Sequence, residues 1–61
     1  MRILVVDDHT IIRRGLLNLI ALEHPLAIAT ACANIRDAHE ALTLSDHDVM
    51  ILDLWLTDGN A

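Results

Sequence analysis

The sequence predicts an α/β fold, a parallel sheet covered by helices, and three observations carry that expectation. Two continuous aliphatic runs, Ile3 to Val6 and Val49 to Leu52, are each closed by aspartate. Two stretches of helical periodicity lie between them, separated by a weaker strand pattern, so the chain reads β-α-β-α-β. Apolar residues make up 54% of the 61 residues and only one is aromatic, so the core is expected to be aliphatic.

Each element has its own signature. An unbroken run such as Ile3-Leu4-Val5-Val6 is how a parallel strand buried on both faces appears in sequence, and Asp7-Asp8 ends it. From Ile11 the spacing turns helical, with Ile12, Leu16, Leu19, Ile20 and Glu23 on one side and Arg13, Arg14 and Asn18 largely on the other. Thr10 or Asp8 is the expected cap, and His24-Pro25 the expected end. Leu26 to Cys32 alternates loosely as a second strand, although its alanines also suit helix. Asn34 then precedes a second helix, Ile35 to Leu44, with Asp37 where an acid favours a helix start. After the last apolar run and Asp53, Thr57-Asp58-Gly59-Asn60 reads as a turn. No repeat or linker interrupts the chain, which is read as one unit, residues 1–61.

Composition excludes several classes of partner. A net charge of −5, from nine acids against four bases, argues against direct contact with nucleic acid. The lone Trp55 makes a base-stacking surface equally unattractive. Cys32 is the single cysteine, which precludes an internal disulfide and suggests a buried small residue in a reducing compartment. The first four apolar positions reach two acids too soon for a signal peptide or a membrane span, so the expected location is the cytoplasm.

Parallel strands joined by right-handed crossovers bring the C-terminal ends of the first and third strands to one edge, with Asp7, Asp8 and Asp53. In the flavodoxin-like strand order, here 2-1-3, that gap is the topological switch point where ligands settle. Three carboxylates in one crevice repel one another and call for a cation. Mg²⁺ prefers oxygen ligands, takes one or two carboxylates and completes its shell with water and a phosphate oxygen. An aspartate can then act as nucleophile toward phosphorus, and Asp53 is the candidate.

Ile3-Leu4-Val5-Val6-Asp7-Asp8-His9, followed some 45 residues later by Met50-Ile51-Leu52-Asp53-Leu54, resembles the receiver domain of bacterial two-component response regulators. Arg13-Arg14 and the ending Asp53-Leu54-Trp55-Leu56-Thr57-Asp58-Gly59-Asn60 look most like the NarL/FixJ group of transcriptional regulators. The resemblance implies that Asp53 accepts phosphate from a sensor histidine kinase to control a transcriptional output. It also implies that Asp8 and Asp53 ligate Mg²⁺, that Asp7 acts through water, and that the backbone carbonyl of Trp55 supplies a further ligand. Thr57, where the family commonly has Pro, and Ala61, where Gly is usual, depart from the pattern. The family's fourth and fifth strands, with a Thr or Ser and a Lys that hold the phosphoryl oxygens, have no counterpart here. The chain is therefore expected to bind metal weakly, to be phosphorylated poorly and to lack the later helices.

Blander readings compete with these. A pair of acids can simply end a strand and lead into a helix cap, and an aspartate after an apolar run can start an ordinary turn. Taken jointly, the three acids favour the site. The histidines, His9, His24, His39 and His47, share no metal-ligand spacing and are assigned no zinc. Arg13 and Arg14 read as a solvated helix face, with kinase docking as the sharper alternative. A haloacid-dehalogenase-type phosphatase is disfavoured because Trp55 stands where a second acid is needed. Finally, an apolar third strand left as a bare edge predicts self-association, and hence an alternative role as a self-associating interaction module without phosphotransfer.

Overall fold

The computed structural model describes residues 1–53, and these form β1 (Arg2–Val6), α1 (Thr10–Glu23), β2 (Ile28–Cys32), α2 (Ile35–Leu44) and β3 (Val49–Leu52). The three strands are parallel and lie in the order β2-β1-β3, the partial flavodoxin-like arrangement that the alternating pattern predicts. Register follows from backbone hydrogen bonds at both ends of the sheet. At one end the Asp48 N–H donates to the Arg2 carbonyl at 2.8 Å, while the Arg2 N–H donates to Asp48 Oδ2 at 2.8 Å. At the other, the Asp7 N–H donates to the Cys32 carbonyl at 3.0 Å and the Asp53 N–H to the Val6 carbonyl at 2.9 Å.

The aliphatic run of β1 is central because both of its faces are covered. Alternation sends Leu4 and Val6 toward α2, where they pack on Ala38 with Cys32, Ile35 and Ala41 around them. Ile3 and Val5 point the other way, onto Ile20 of α1, with Leu16, Ala27, Ala29 and Ala31 alongside. Leu4, Val5 and Val6 are completely buried, each contributing about 1.5–3 kcal/mol of transfer free energy. Ala29 and Ala31 of β2 pack against this cluster on the α1 side of the sheet.

Three local expectations are corrected. The cap of α1 is neither Thr10 nor Asp8 but His9, in extended conformation and without a side-chain cap hydrogen bond. Asp8 is still at the strand end, and the Thr10 hydroxyl instead accepts from Arg13 Nη2 at 3.3 Å. β2 begins at Ile28 rather than Leu26, because a turn closed by the Ala27 N–H on the His24 carbonyl at 3.0 Å puts Leu26 into solvent. The anticipated apolar stripe of α1 is narrower than its sequence. Ile20 is buried and Leu16 partly so, whereas Ile12 and Leu19 remain about half exposed. Leu19 and Ile20 instead border an open apolar groove of about 330 Å³ shared with Met1, Val49 and Ile51.

The second helix starts as its sequence indicates. Asn34 caps it by accepting the Asp37 N–H at 2.7 Å, and its amide returns a hydrogen bond to Asp37 Oδ2 at 3.2 Å. β3 pairs only with β1 among the described strands, and all four of its residues are 38–48% exposed. No helix among the described residues is long and apolar enough to cross a membrane.

Candidate functional site

The register of the sheet builds the site. Val6 lies opposite Leu52, so Asp7 and Asp53, the next residues of β1 and β3, leave the sheet side by side. Asp8 follows on the same rim, and the three predicted acids converge as the strand order requires. Asp7 is the most enclosed, with its side chain 12% exposed, against 15% for Asp53 and 28% for Asp8. One ligand atom from each of Asp7, Asp8, Asp53 and His9 lies within 4.8 Å of all the others.

His9 and Arg13 belong to this arrangement although the sequence pattern assigns neither to it. The chain turns sharply after β1, and Asp7 Oδ1 accepts the His9 backbone N–H at 2.8 Å in an Asx-type turn. The turn folds the imidazole back over the acids, with Nδ1 at 2.8 Å from Asp7 Oδ1, 3.0 Å from Asp8 Oδ1 and 3.7 Å from Asp53 Oδ2. Arg13, expected on a solvated face, is half-buried and donates from Nη1 to the Asp7 carbonyl at 2.8 Å. Its guanidinium thereby fixes α1 against the end of β1, while Arg14 stays exposed. The signal that would have found His9 is the Asp-x-His spacing at a strand end, which suits an Asx turn.

The electrostatics follow from these contacts. The hydrogen bond from the His9 backbone holds the Asp7 carboxyl below its usual range. Burial works partly against this, and the imidazole and Arg13 reinforce it. The hydrogen bond to Asp7 raises the His9 ring above its usual value, with Asp8 adding an attraction. Cys32 packs at the edge of the α2 core, where burial pushes its thiol upward and away from nucleophilic chemistry.

A divalent cation fits the residues present. Asp8 Oδ1 is enclosed, with His9 Nδ1 at 3.0 Å, and two further carboxylates stand beside it. Oxygen-rich donor sets of this kind suit hard ions such as Mg²⁺. Trp55, whose carbonyl the resemblance makes a ligand, lies outside the described residues, as do Leu54, the turn at 57–60 and Ala61.

Comparison with known proteins agrees with this architecture. The family described as response regulator receiver domain matches residues 3–60. A curated relative, the DNA-binding transcriptional activator DevR/DosR of Mycobacterium tuberculosis (strain ATCC 25618 / H37Rv), is 32% identical over 60 residues. That alignment covers 98% of this chain and 28% of the relative, so the chain spans under a third of that protein's length. The NarL/FixJ likeness is compatible with it. No solved structure gives a match. The sheet order, the acids at its C-terminal rim and a family match running almost from end to end place the chain in the response regulator receiver domain family.

Proposed function

We propose that this chain is the phosphoacceptor segment of a two-component response regulator, with Asp53 as the residue that takes the phosphoryl group from a sensor histidine kinase. The observation that carries the reading is the meeting of Asp7, Asp8 and Asp53 at one rim of the sheet, with ligand atoms within 4.8 Å. Asp53 is held by its backbone on the Val6 carbonyl, which fixes its carboxylate at the mouth of the β1–β3 gap. One carboxylate oxygen attacks phosphorus, the phosphorus–nitrogen bond of phosphohistidine breaks, and the neutral imidazole leaves with a proton from solvent. Asp8 and Asp53 would hold Mg²⁺, with Asp7 acting through water and, as the family resemblance implies, the Trp55 carbonyl as a further ligand, and the ion would supply charge neutralisation for the phosphoryl oxygens. Asp7 is suited to the outer role because its Oδ1 already accepts two hydrogen bonds from His9. The output is proposed to be transcriptional, as for the DNA-binding activator it resembles, and the location cytoplasmic. The acidic charge makes direct nucleic acid contact by this segment unfavourable.

The test is incubation of the chain with Mg²⁺ and acetyl phosphate or a phosphorylated kinase, followed by reductive trapping and peptide mass spectrometry. A phosphoryl group on Asp53, absent from Asp53→Asn, is expected, at a low yield because the family's Thr/Ser and Lys have no counterpart in these residues. Phosphate at another residue, or uptake unchanged by Asp53→Asn, overturns the reading.

A second reading rests on β3. Its four residues are 38–48% exposed and its outer edge is unpaired among the described strands, so a copy of the chain adding a strand there would cover apolar surface and satisfy backbone groups. This makes the chain a self-associating module that pairs without transferring phosphate. Stable oligomers in light scattering, combined with no uptake on Asp53, support it. A folded monomer at micromolar concentration refutes it.

A further inference from the structure

His9 has no part in the phosphotransfer proposed above, yet its neighbours fix which of its ring nitrogens carries a hydrogen. Nδ1 stands 2.8 Å from Asp7 Oδ1 and 3.0 Å from Asp8 Oδ1. An ionised carboxylate only accepts hydrogen bonds, and the Asp7 carboxyl is held below its usual range, in the ionised form. Nδ1 is therefore a protonated nitrogen whether the ring is neutral or charged, and the chain presents a donor at a defined atom.

That donor stands beside the reacting carboxylate. Nδ1 lies 3.7 Å from Asp53 Oδ2, outside hydrogen-bond reach of the bare carboxylate. A phosphoryl group on Asp53 carries its own oxygens past the carboxylate oxygen, so one of them can meet a donor set back by this margin. The backbone sets the placement, because the His9 N–H is tied to Asp7 Oδ1 at 2.8 Å and the residue is extended just before α1. The side chain is 63% exposed, so the ring can turn from Asp7 and Asp8 to a phosphoryl oxygen without uncovering buried surface. The Arg13 guanidinium is engaged elsewhere, with Nη1 on the Asp7 carbonyl and Nη2 on the Thr10 hydroxyl.

We infer that His9 is a catalytic residue of the phosphotransfer, its Nδ1–H donating to an oxygen of the phosphoryl group as that group arrives on Asp53. The inference rests on the reading of Asp53 as the phosphoacceptor. In transfer from acetyl phosphate, an Asp53 oxygen gives an electron pair to phosphorus, and the bond from phosphorus to the acetyl oxygen breaks with its pair leaving on acetate. The Nδ1 hydrogen stays on His9 throughout and changes only its acceptor. Charge spreads over the phosphoryl oxygens in the transition state, where a donor already in place lowers the barrier most.

The test is the rate of phosphoryl uptake on Asp53 of the full chain against acetyl phosphate concentration, at several Mg²⁺ concentrations. His9→Ala should lower the maximal rate about tenfold and move the half-saturating acetyl phosphate and Mg²⁺ concentrations less than about threefold. The side-chain nitrogen of asparagine is bonded to Cγ, as Nδ1 is, so His9→Asn should recover the rate to within about threefold of the parent. Glutamine places its nitrogen nearer to Nε2, so His9→Gln should stay as slow as His9→Ala. His39→Ala, altering an exposed histidine of α2, should leave the rate unchanged. Circular dichroism confirms that each variant folds. A rate in His9→Ala equal to the parent's, no recovery in His9→Asn, recovery in His9→Gln as large as in His9→Asn, or a shifted Mg²⁺ midpoint that accounts for the loss would overturn the assignment. If the folded parent takes no phosphoryl group on Asp53, the phosphoacceptor reading falls and the role of His9 with it. If the parent is phosphorylated there and His9→Ala keeps pace, only the role of His9 falls.

Discussion

Replacing Asp8 by asparagine should stabilise the metal-free protein, because it removes charge from a rim where acids are crowded. With ligand atoms within 4.8 Å of one another, each pair of carboxylates repels by about 3.5 kcal/mol or more at an effective dielectric constant near 20. Partial exposure, the nearby His9 and Arg13, and ordinary salt reduce that several-fold, leaving about 1–2 kcal/mol of net gain for the isosteric change. Asparagine also places an amide among neighbouring carboxylates, to one of which it can donate. The assay is urea unfolding at fixed protein concentration and low salt, well above the pH at which His9 titrates, with and without Mg²⁺. Mg²⁺ at tenfold its dissociation constant should stabilise the parent by about 1.4 kcal/mol and Asp8→Asn hardly at all. If Asp8→Asn instead destabilises the metal-free protein by about 1 kcal/mol or more, on the order of a lost cap, Asp8 is an ordinary strand-end residue and charge crowding does not shape the rim.

Other consequences are equally direct. Leu4→Ala removes a completely buried side chain from the α2 face and should cost about 2–5 kcal/mol, enough to unfold so small a chain, whereas Ile11→Ala, at 83% exposure, should stay within about 0.5 kcal/mol; denaturant melts decide. Asn34→Ala should cost about 1 kcal/mol by removing the cap on α2, and equal stability would show the cap to be inert. Proton NMR should find His9 titrating above the ordinary histidine value, returning toward it in Asp7→Asn. Since the folded value is the raised one, this contact stabilises below the unfolded pKa and is lost as pH rises through the folded value. An unshifted His9 would contradict the geometry.

Much of the fold was legible because β1 and β3 are continuous aliphatic runs closed by acids, a pattern that in so short a chain points to buried parallel strands ending at a polar rim. Their parallel pairing then placed Asp7, Asp8 and Asp53 on one rim by topology alone. What escaped was local direction. His9 and Arg13 join the site only because the chain turns back on Asp7 Oδ1 after β1, and that turn depends on one side-chain acceptor rather than on periodicity. The cap of α1 escaped for the same reason, since the turn makes His9 the last non-helical residue. Ile12 and Leu19 have the spacing of core residues, yet spacing cannot reveal what lies opposite, and beside Leu19 there is an open groove. The start of β2 was displaced by the turn at His24–Ala27, where Leu26 looks like strand in sequence and stands in solvent. The role expected of the Trp55 carbonyl concerns a position outside the described residues.

The shared cation at the β1–β3 rim is tested most directly by paramagnetic broadening of the amide NMR spectrum with substoichiometric Mn²⁺, an ion that accepts the same oxygen donors. Broadening centred on Asp7, Asp8, His9 and Asp53, relieved by competing Mg²⁺ and absent from Asp8→Asn, is the predicted result. Broadening centred instead on Asp46 and Asp48 near the opposite end of the sheet, or spread evenly over the exposed acids, would contradict it.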